Sequence, residues 1–152
     1  MARKIIFTLI ALNIFGACFG QAYWIFLEAE RCYYGIENHT QSYDKAFCLY
    51  KRAAQMGNIA SLRMMGICYH NGYGVPASKR KSFVYIKRAA DCGDTTAMVM
   101  LISYYLDGEG CRKSMKKSFK YAFKAANQGN ERAIAFLQQF SCFPRTEMIF
   151  KE

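Results

Sequence analysis

Residues 61–93 read SLRMMGICYHNGYGVPASKRKSFVYIKRAADCG. Leu62, Met65, Gly66 and Tyr69 fall at i, i+3, i+4 and i+7, one face of an α-helix. Asn71-Gly72-Tyr73-Gly74 cannot continue that helix, because its glycines permit the positive φ that a chain reversal needs. Pro76 follows, and Ser78 is placed as the N-cap of a second helix. That helix carries Phe83, Ile86, Ala89 and Ala90 on one face and stops at Gly93. The expected unit is a helical hairpin, with helix A over residues 59–70 and helix B over residues 79–92. Its paired small residues let two helix backbones approach closely.

The pattern recurs every 36 residues along a chain of 152. Ala53-Ala54, Ala89-Ala90 and Ala125-Ala126 keep this step, as do Gly57, Gly93 and Gly129. So do Arg52, Arg88 and Lys124, then Lys45, Lys81 and Lys117, then Phe47, Phe83 and Phe119. Tyr33, Tyr69 and Tyr105 mark the A helices, and Gly72-Tyr73-Gly74 aligns with Gly108-Glu109-Gly110. One such hairpin cannot bury its apolar face alone, whereas stacked neighbours can. The expected fold is therefore all-α, a right-handed α-α superhelix. It divides into a degenerate first repeat (23–58), two regular repeats (59–94 and 95–130), and a terminal half-repeat with a tail (131–152).

The residues that carry this period resemble the Sel1-like repeat, a helical-hairpin relative of the tetratricopeptide repeat. The match lies in Leu62, Gly66, Tyr69, Gly72-Tyr73-Gly74-Val75-Pro76, Ala89-Ala90 and Gly93, and again at 97–129. In the first unit Ile36 and Asn38 stand where loop glycines belong. Other departures are Ser61, Ser82 and Ser118 for alanine, Ile102 for glycine, and Cys111 for valine. The resemblance implies a binding scaffold. Some cysteine-rich members are associated with β-lactamase-type activity, but those carry regular cysteine pairs a few residues apart in each repeat, a spacing this chain lacks.

The N-terminus reads as a targeting segment. Arg3 and Lys4 are basic, residues 5–15 are apolar except for Thr8 and Asn13, and Gly20-Gln21-Ala22 places small residues for cleavage after Ala22. Two other readings stand beside it. Residues 5–27 carry no charge and are long enough for an uncleaved membrane anchor, and Phe15-Gly16-Ala17-Cys18 is an imperfect signal for a lipoprotein acylated at Cys18. All three export the body of the chain, to a periplasm or beyond. Stepping back 36 residues from Ile59 reaches Tyr23, so the first repeat is expected to begin where the signal ends.

Cleavage leaves six cysteines, Cys32, Cys48, Cys68, Cys92, Cys111 and Cys142. An even number in an exported chain points toward disulfides, with free, buried thiols as the alternative. No CxxC occurs, so zinc-ribbon and thioredoxin-like readings have no spacing to rest on. Cys111, in a loop, and Cys142, after the last helix, are expected at one end of the stack. A bridge between them would pin the terminal half-repeat.

No GxSxG, P-loop, HExxH or GxGxxG is present, so no catalytic residue, metal ligand or cofactor is assigned. His39 and His70 read as satisfied or solvated loop and helix-end residues. The chain carries 21 Lys and Arg against 11 Asp and Glu, a formal charge of +10. Stacking would draw the repeated basic residues into stripes. These read either as a solvated outer face or as attraction to an acidic partner. Candidate contact residues are Arg63 and His70 on a helix A, and Arg52, Arg88 and Lys124 on the B helices. Met64, Met65, Met98 and Met100 offer an adaptable apolar surface, with Met65 expected in the core. Export argues against nucleic acid as a partner, and a membrane enters only through an anchor or a lipid on Cys18. The expected function is protein–protein binding without catalysis, as an envelope adaptor, a host-interaction factor or a toxin-immunity protein. A hydrolase of β-lactamase or cell-wall type and a membrane-anchored structural protein are the alternatives.

Overall fold

A computed structural model describes residues 20–37 and 39–141. It is all helical among those residues. Residues 20–34 are helical (α1). They are followed by α2 (Tyr43–Gln55), α3 (Ile59–Asn71), α4 (Lys79–Asp91), α5 (Thr95–Asp107), α6 (Met115–Ala126) and α7 (Glu131–Ser141). From α2 to α7 each helix packs on its neighbours in the chain, so the hairpins stack in order into a helical-hairpin solenoid.

Both ends of each regular hairpin are set by local chemistry. Asn58 and Asp94 cap the A helices, their side chains accepting from the N–H groups of Ser61 and Ala97 at 2.8 Å. Ser78 and Ser114 cap the B helices in the same way. Gly72 and Gly108 end the A helices in the left-handed region, at φ 79° and 75°. There a side chain would be strained, and the glycine N–H bonds back to the last turn.

The first hairpin departs from the period by one residue. Gly35 N–H bonds to Arg31 O at 2.9 Å, where Gly72 bonds to Cys68 and Gly108 to Tyr104. Ser42 N–H reaches Cys32 O, where Ser78 reaches Tyr69 and Ser114 reaches Tyr105. The loop between α1 and α2 thus holds one extra residue. Gly35 supplies the helix stop instead of Ile36, and Glu37, at φ 54°, takes the second left-handed position. Asn38 lies outside the described residues. Residues 20–34 form one helix, which runs unbroken across the Ala22–Tyr23 bond, and Ala22 is buried. The remainder of the targeting segment, including Cys18, lies outside the described residues.

Two apolar clusters fill the stack. One gathers Ala29, Cys32, Tyr33, Tyr50, Met64, Met65 and Cys68, and the other runs from Ile86 through Leu101, Tyr104 and Ala122 to Ala133. Met64, Met65 and Met98 are all buried, so they are core residues and not an adaptable surface; Met100 alone of the four keeps partial exposure. A Cβ on Gly66 would come within 2.5 Å of Ile86 Cδ1. One repeat later the same two positions hold Ile102 and Ala122, both buried in one cluster. The bulk has changed sides, which accounts for isoleucine at a family glycine position.

The seams between hairpins rest on backbone contact. A Cβ at Gly74 would collide with the Tyr43 carbonyl at the start of α2, and one at Gly110 with the Lys79 carbonyl at the start of α4. Each interhelix loop therefore lies directly on the helix B before it. A side chain there would force the two hairpins apart.

Candidate binding surface

Helices α3 and α5 are adjacent A helices, and polar contacts join them along their length. Near their N-terminal ends Arg63 Nε donates to Asp94 Oδ2 at 3.0 Å. Asp94 uses its other oxygen to cap α5. Arg63 is thus a strut between hairpins, its side chain 23% exposed, and not the free contact residue expected from its position.

Toward the other end, His70 Nδ1 lies 2.9 Å from the Tyr104 hydroxyl. That hydroxyl lies 2.7 Å from Ser82 Oγ, and Ser82 donates its single proton to Gly66 O at 2.7 Å. The carbonyl can only accept, so the direction of the chain is fixed: Tyr104 donates to Ser82, and His70 Nδ1–H donates to Tyr104. His70 Nε2 is then an acceptor and faces Lys79 Nζ at 3.1 Å. Lys79 also pairs with Glu109, which stands beside His70. Burial raises the Tyr104 hydroxyl above the ordinary tyrosine range. It therefore stays protonated as a donor.

This network walls a shallow groove of about 230 Å³ lined by Ile67, His70, Asn71, Met100, Ser103, Tyr104 and Glu109. Ile67 and Met100 supply apolar surface, and the remaining side chains supply donors and acceptors. His70 was expected from sequence as a contact residue, and Ser103 is exposed on α5. Tyr104, Glu109 and Lys79 were not expected. Their signal was available only as the departure of Tyr104 from the residue preceding the repeat tyrosine in the regular unit before it, Tyr104 standing where Cys68 stands.

Arg52, Arg88 and Lys124 lie apart from this groove, in the last turns of α2, α4 and α6. Their charge there complements the helix dipole. Arg88 sits over the Tyr85 ring at 5.8 Å and Lys124 over Tyr121 at 5.7 Å. Lys81 over Tyr69 and Lys117 over Tyr105 repeat a second pairing with the same period. The basic stripe is therefore held down partly by ring faces. Leu49 stands at the Tyr85 position of the first repeat, so Arg52 has no such ring.

The cysteines divide by depth. Cys32 and Cys68 are buried, Cys111 is partly buried, Cys48 and Cys92 are exposed, and all five are free. Burial pushes the Cys68 thiol up to about 11. Cys111 Sγ donates to Tyr104 O at 3.4 Å, and Cys142, its expected partner, lies outside the described residues. His39 is not merely solvated: its Nε2 lies 2.8 Å from Glu28 Oε1 and its Nδ1 3.1 Å from Glu37 O. These contacts raise the imidazole, the Glu37 carbonyl first, and hold the Glu28 carboxyl below its usual range.

The Sel1 repeat family model matches residues 29–58, 59–94 and 97–130. No curated protein matches significantly. Among solved structures, a Sel1 repeat protein from Oxalobacter formigenes is similar at 30% identity and TM-score 0.71, over 85% of this chain and 98% of that one. The protective antigen c5321 of uropathogenic Escherichia coli, which displays the same fold, is similar at 27% identity and TM-score 0.74, over 80% of this chain. The present chain spans only 26% of that antigen. Helicobacter pylori cysteine rich protein B shares the fold at 22% identity and TM-score 0.62, over 78% of this chain and 93% of that one. Proteins built from this repeat are in general protein-interaction scaffolds. With three matched units in a helical-hairpin stack, this chain belongs to the Sel1 repeat family.

Proposed function

We propose that this chain is an exported, non-catalytic scaffold that holds a segment of a partner protein in the groove between α3 and α5. The observation that carries this reading is the His70–Tyr104–Ser82–Gly66 chain, which fixes the groove's polar wall before any partner arrives. A preformed wall lowers the ordering cost of binding. Ile67 and Met100 suit an apolar side chain of the partner, while Asn71, Ser103 and Glu109 suit its backbone and polar flanks.

The basic rows of the B helices favour a partner of acidic character and speed its approach. Envelope adaptor, host-interaction factor and toxin-immunity protein all fit this description. The likeness to a protective antigen favours the host-facing use. Export rests on the basic, apolar and small-residue segments that precede Tyr23. No described helix is long and apolar enough to cross a membrane.

A photo-crosslinking residue at Ser103, in cells that make the protein, tests the groove. The expected result is one discrete adduct, absent when the crosslinker replaces Val84, exposed on α4. Equal labelling from both positions overturns the groove assignment. The intact mass of the exported protein tests the leader: a chain beginning at Tyr23 supports cleavage, and a full-length chain overturns it.

A further inference from the structure

Glu28 and Cys32 are four residues apart on α1 and therefore share one face of that helix. His39 reaches the same face from the following loop. The structure brings a carboxylate oxygen, a thiol sulfur and a ring nitrogen of these residues within 4.8 Å of one another, the one such mixed group among the described residues. Each donor is also oriented from behind. The Glu37 carbonyl accepts from His39 Nδ1–H at 3.1 Å, which turns Nε2 toward the group. Arg31 Nη1 holds Glu28 Oε2 at 3.3 Å, which turns Oε1 toward it. Arg31 is itself paired with Glu37, so two ion pairs and a backbone carbonyl brace the three donors. Cys32 is a free thiol and 6% exposed.

From this geometry we propose that Glu28, Cys32 and His39 form a site for a divalent transition-metal ion of the zinc class, with the fourth position left to water. The donor set decides the class. Calcium and magnesium take oxygen ligands, whereas thiolate with imidazole and one carboxylate suits zinc and its neighbours. Tetrahedral zinc places its ligand atoms about 3.3–3.8 Å apart. The separations here run up to 4.8 Å, about 1 Å beyond that range. The ion replaces the proton shared by His39 Nε2 and Glu28 Oε1, and the Cys32 thiol proton leaves to solvent. A backbone carbonyl behind a ligating histidine and a cation behind a ligating carboxylate are the supports such sites use. In the register set by the helix stops, the positions of Glu28 and Cys32 are taken by Met65 and Tyr69 in the next repeat and by Leu101 and Tyr105 in the one after, none of which offers a thiolate or carboxylate. Those repeats stop their A helices with Gly72 and Gly108 and lack the extra loop residue. The ion would therefore clamp the one irregular loop, residues 35–42, onto α1.

The test uses the full chain, reduced and stripped of metal, titrated with cobalt(II) as a spectroscopic probe and then with zinc. The expected result is one cobalt per chain with a thiolate-to-cobalt charge-transfer band, displaced by zinc, and a rise in Tm with zinc. The band should vanish in Cys32→Ser and persist in Cys48→Ser and Cys92→Ser. Affinity should fall at least about ten-fold in His39→Ala and in Glu28→Gln. A fully reduced protein that shows no thiolate band overturns the proposal, as does a band that survives Cys32→Ser. Helix content by circular dichroism accompanies each variant. If Cys32→Ser does not fold, the partly exposed His39→Ala and Glu28→Gln variants decide, and unchanged cobalt affinity in both overturns the site.

Discussion

The Tyr104 hydroxyl lies 2.7 Å from Ser82 Oγ and so ties α5 to α4 of the hairpin before it. One repeat later the same positions hold Ser118 and Phe140. Phe140 has no hydroxyl and packs its ring on Phe119, and Ser118 Oγ is buried with no hydrogen-bond partner. Two equivalent serines therefore contribute with opposite sign.

Ser82→Ala should lower stability by about 1–3 kcal/mol, because it leaves the buried Tyr104 hydroxyl without its acceptor and removes the second bond to the Gly66 carbonyl. Ser118→Ala should raise stability by about 1 kcal/mol, because it removes an orphaned polar atom. Urea melts of the two variants check this. A loss of equal size in both would show that Ser118 does find a partner.

Gly66→Ala should destabilise by about 1–3 kcal/mol, since the new methyl meets Ile86 in a filled core. The double variant Gly66→Ile with Ile86→Ala copies the Ile102–Ala122 arrangement. It should be clearly more stable than the sum of its single changes implies. The coupling energy from a double-mutant cycle measures this, and additivity would separate the two positions.

Gly74→Ala and Gly110→Ala should each cost more than Gly66→Ala, because the obstacle is backbone at Tyr43 and Lys79 and cannot change rotamer. Both positions also have positive φ, 68° and 67°, which adds about 1 kcal/mol or more of strain. Hydrogen exchange should show the loss of protection concentrated at α2 and α3 for Gly74→Ala, and at α4 and α5 for Gly110→Ala.

Cys68 should make the protein sensitive to alkali. Its thiol titrates near 11 when folded and near the ordinary cysteine value of about 8.5 when unfolded. A raised acid pKa leaves stability whole below the unfolded value and removes it as pH climbs from about 8.5 to about 11. The loss is on the order of 3 kcal/mol. Cys68→Ala should be less stable at neutral pH yet decline less across that window in parallel melts. Peptide mapping after brief alkylation near neutral pH should find Cys48 and Cys92 modified well before Cys32 and Cys68.

The hairpin stack was legible because its signals repeat. Asn58 and Asp94, Ser78 and Ser114, and Gly72 and Gly108 sit 36 residues apart and do the same work twice. The first loop was not legible at the residue level. Its glycine falls one place early, so a fixed step from Ile59 misassigns the register of α1. For the same reason the meeting of Glu28, Cys32 and His39 went unseen, since no repeat partner announces it. His70 was found as a position on a helix, but its role depends on Tyr104 and Ser82, which reach it across two other helices. The pairing of Arg63 was out of reach on the same ground: an arginine's exposure depends on whether a carboxylate such as Asp94 lies within reach, and that is a property of the neighbouring hairpin.

The loop glycines Gly74 and Gly110 press on carbonyl groups, which every residue possesses. The joint they make does not consult the identity of the side chains on the receiving helix. A unit with this loop can follow any unit whose helix B starts in the regular way, so whole units of 36 residues can be added or removed without redesigning a boundary. Length in this architecture is a free variable: one more unit between residues 94 and 95 would lengthen the row of A helices offered to a partner, its own loop pressing on Lys79 while Gly110 presses on the helix B of the added unit.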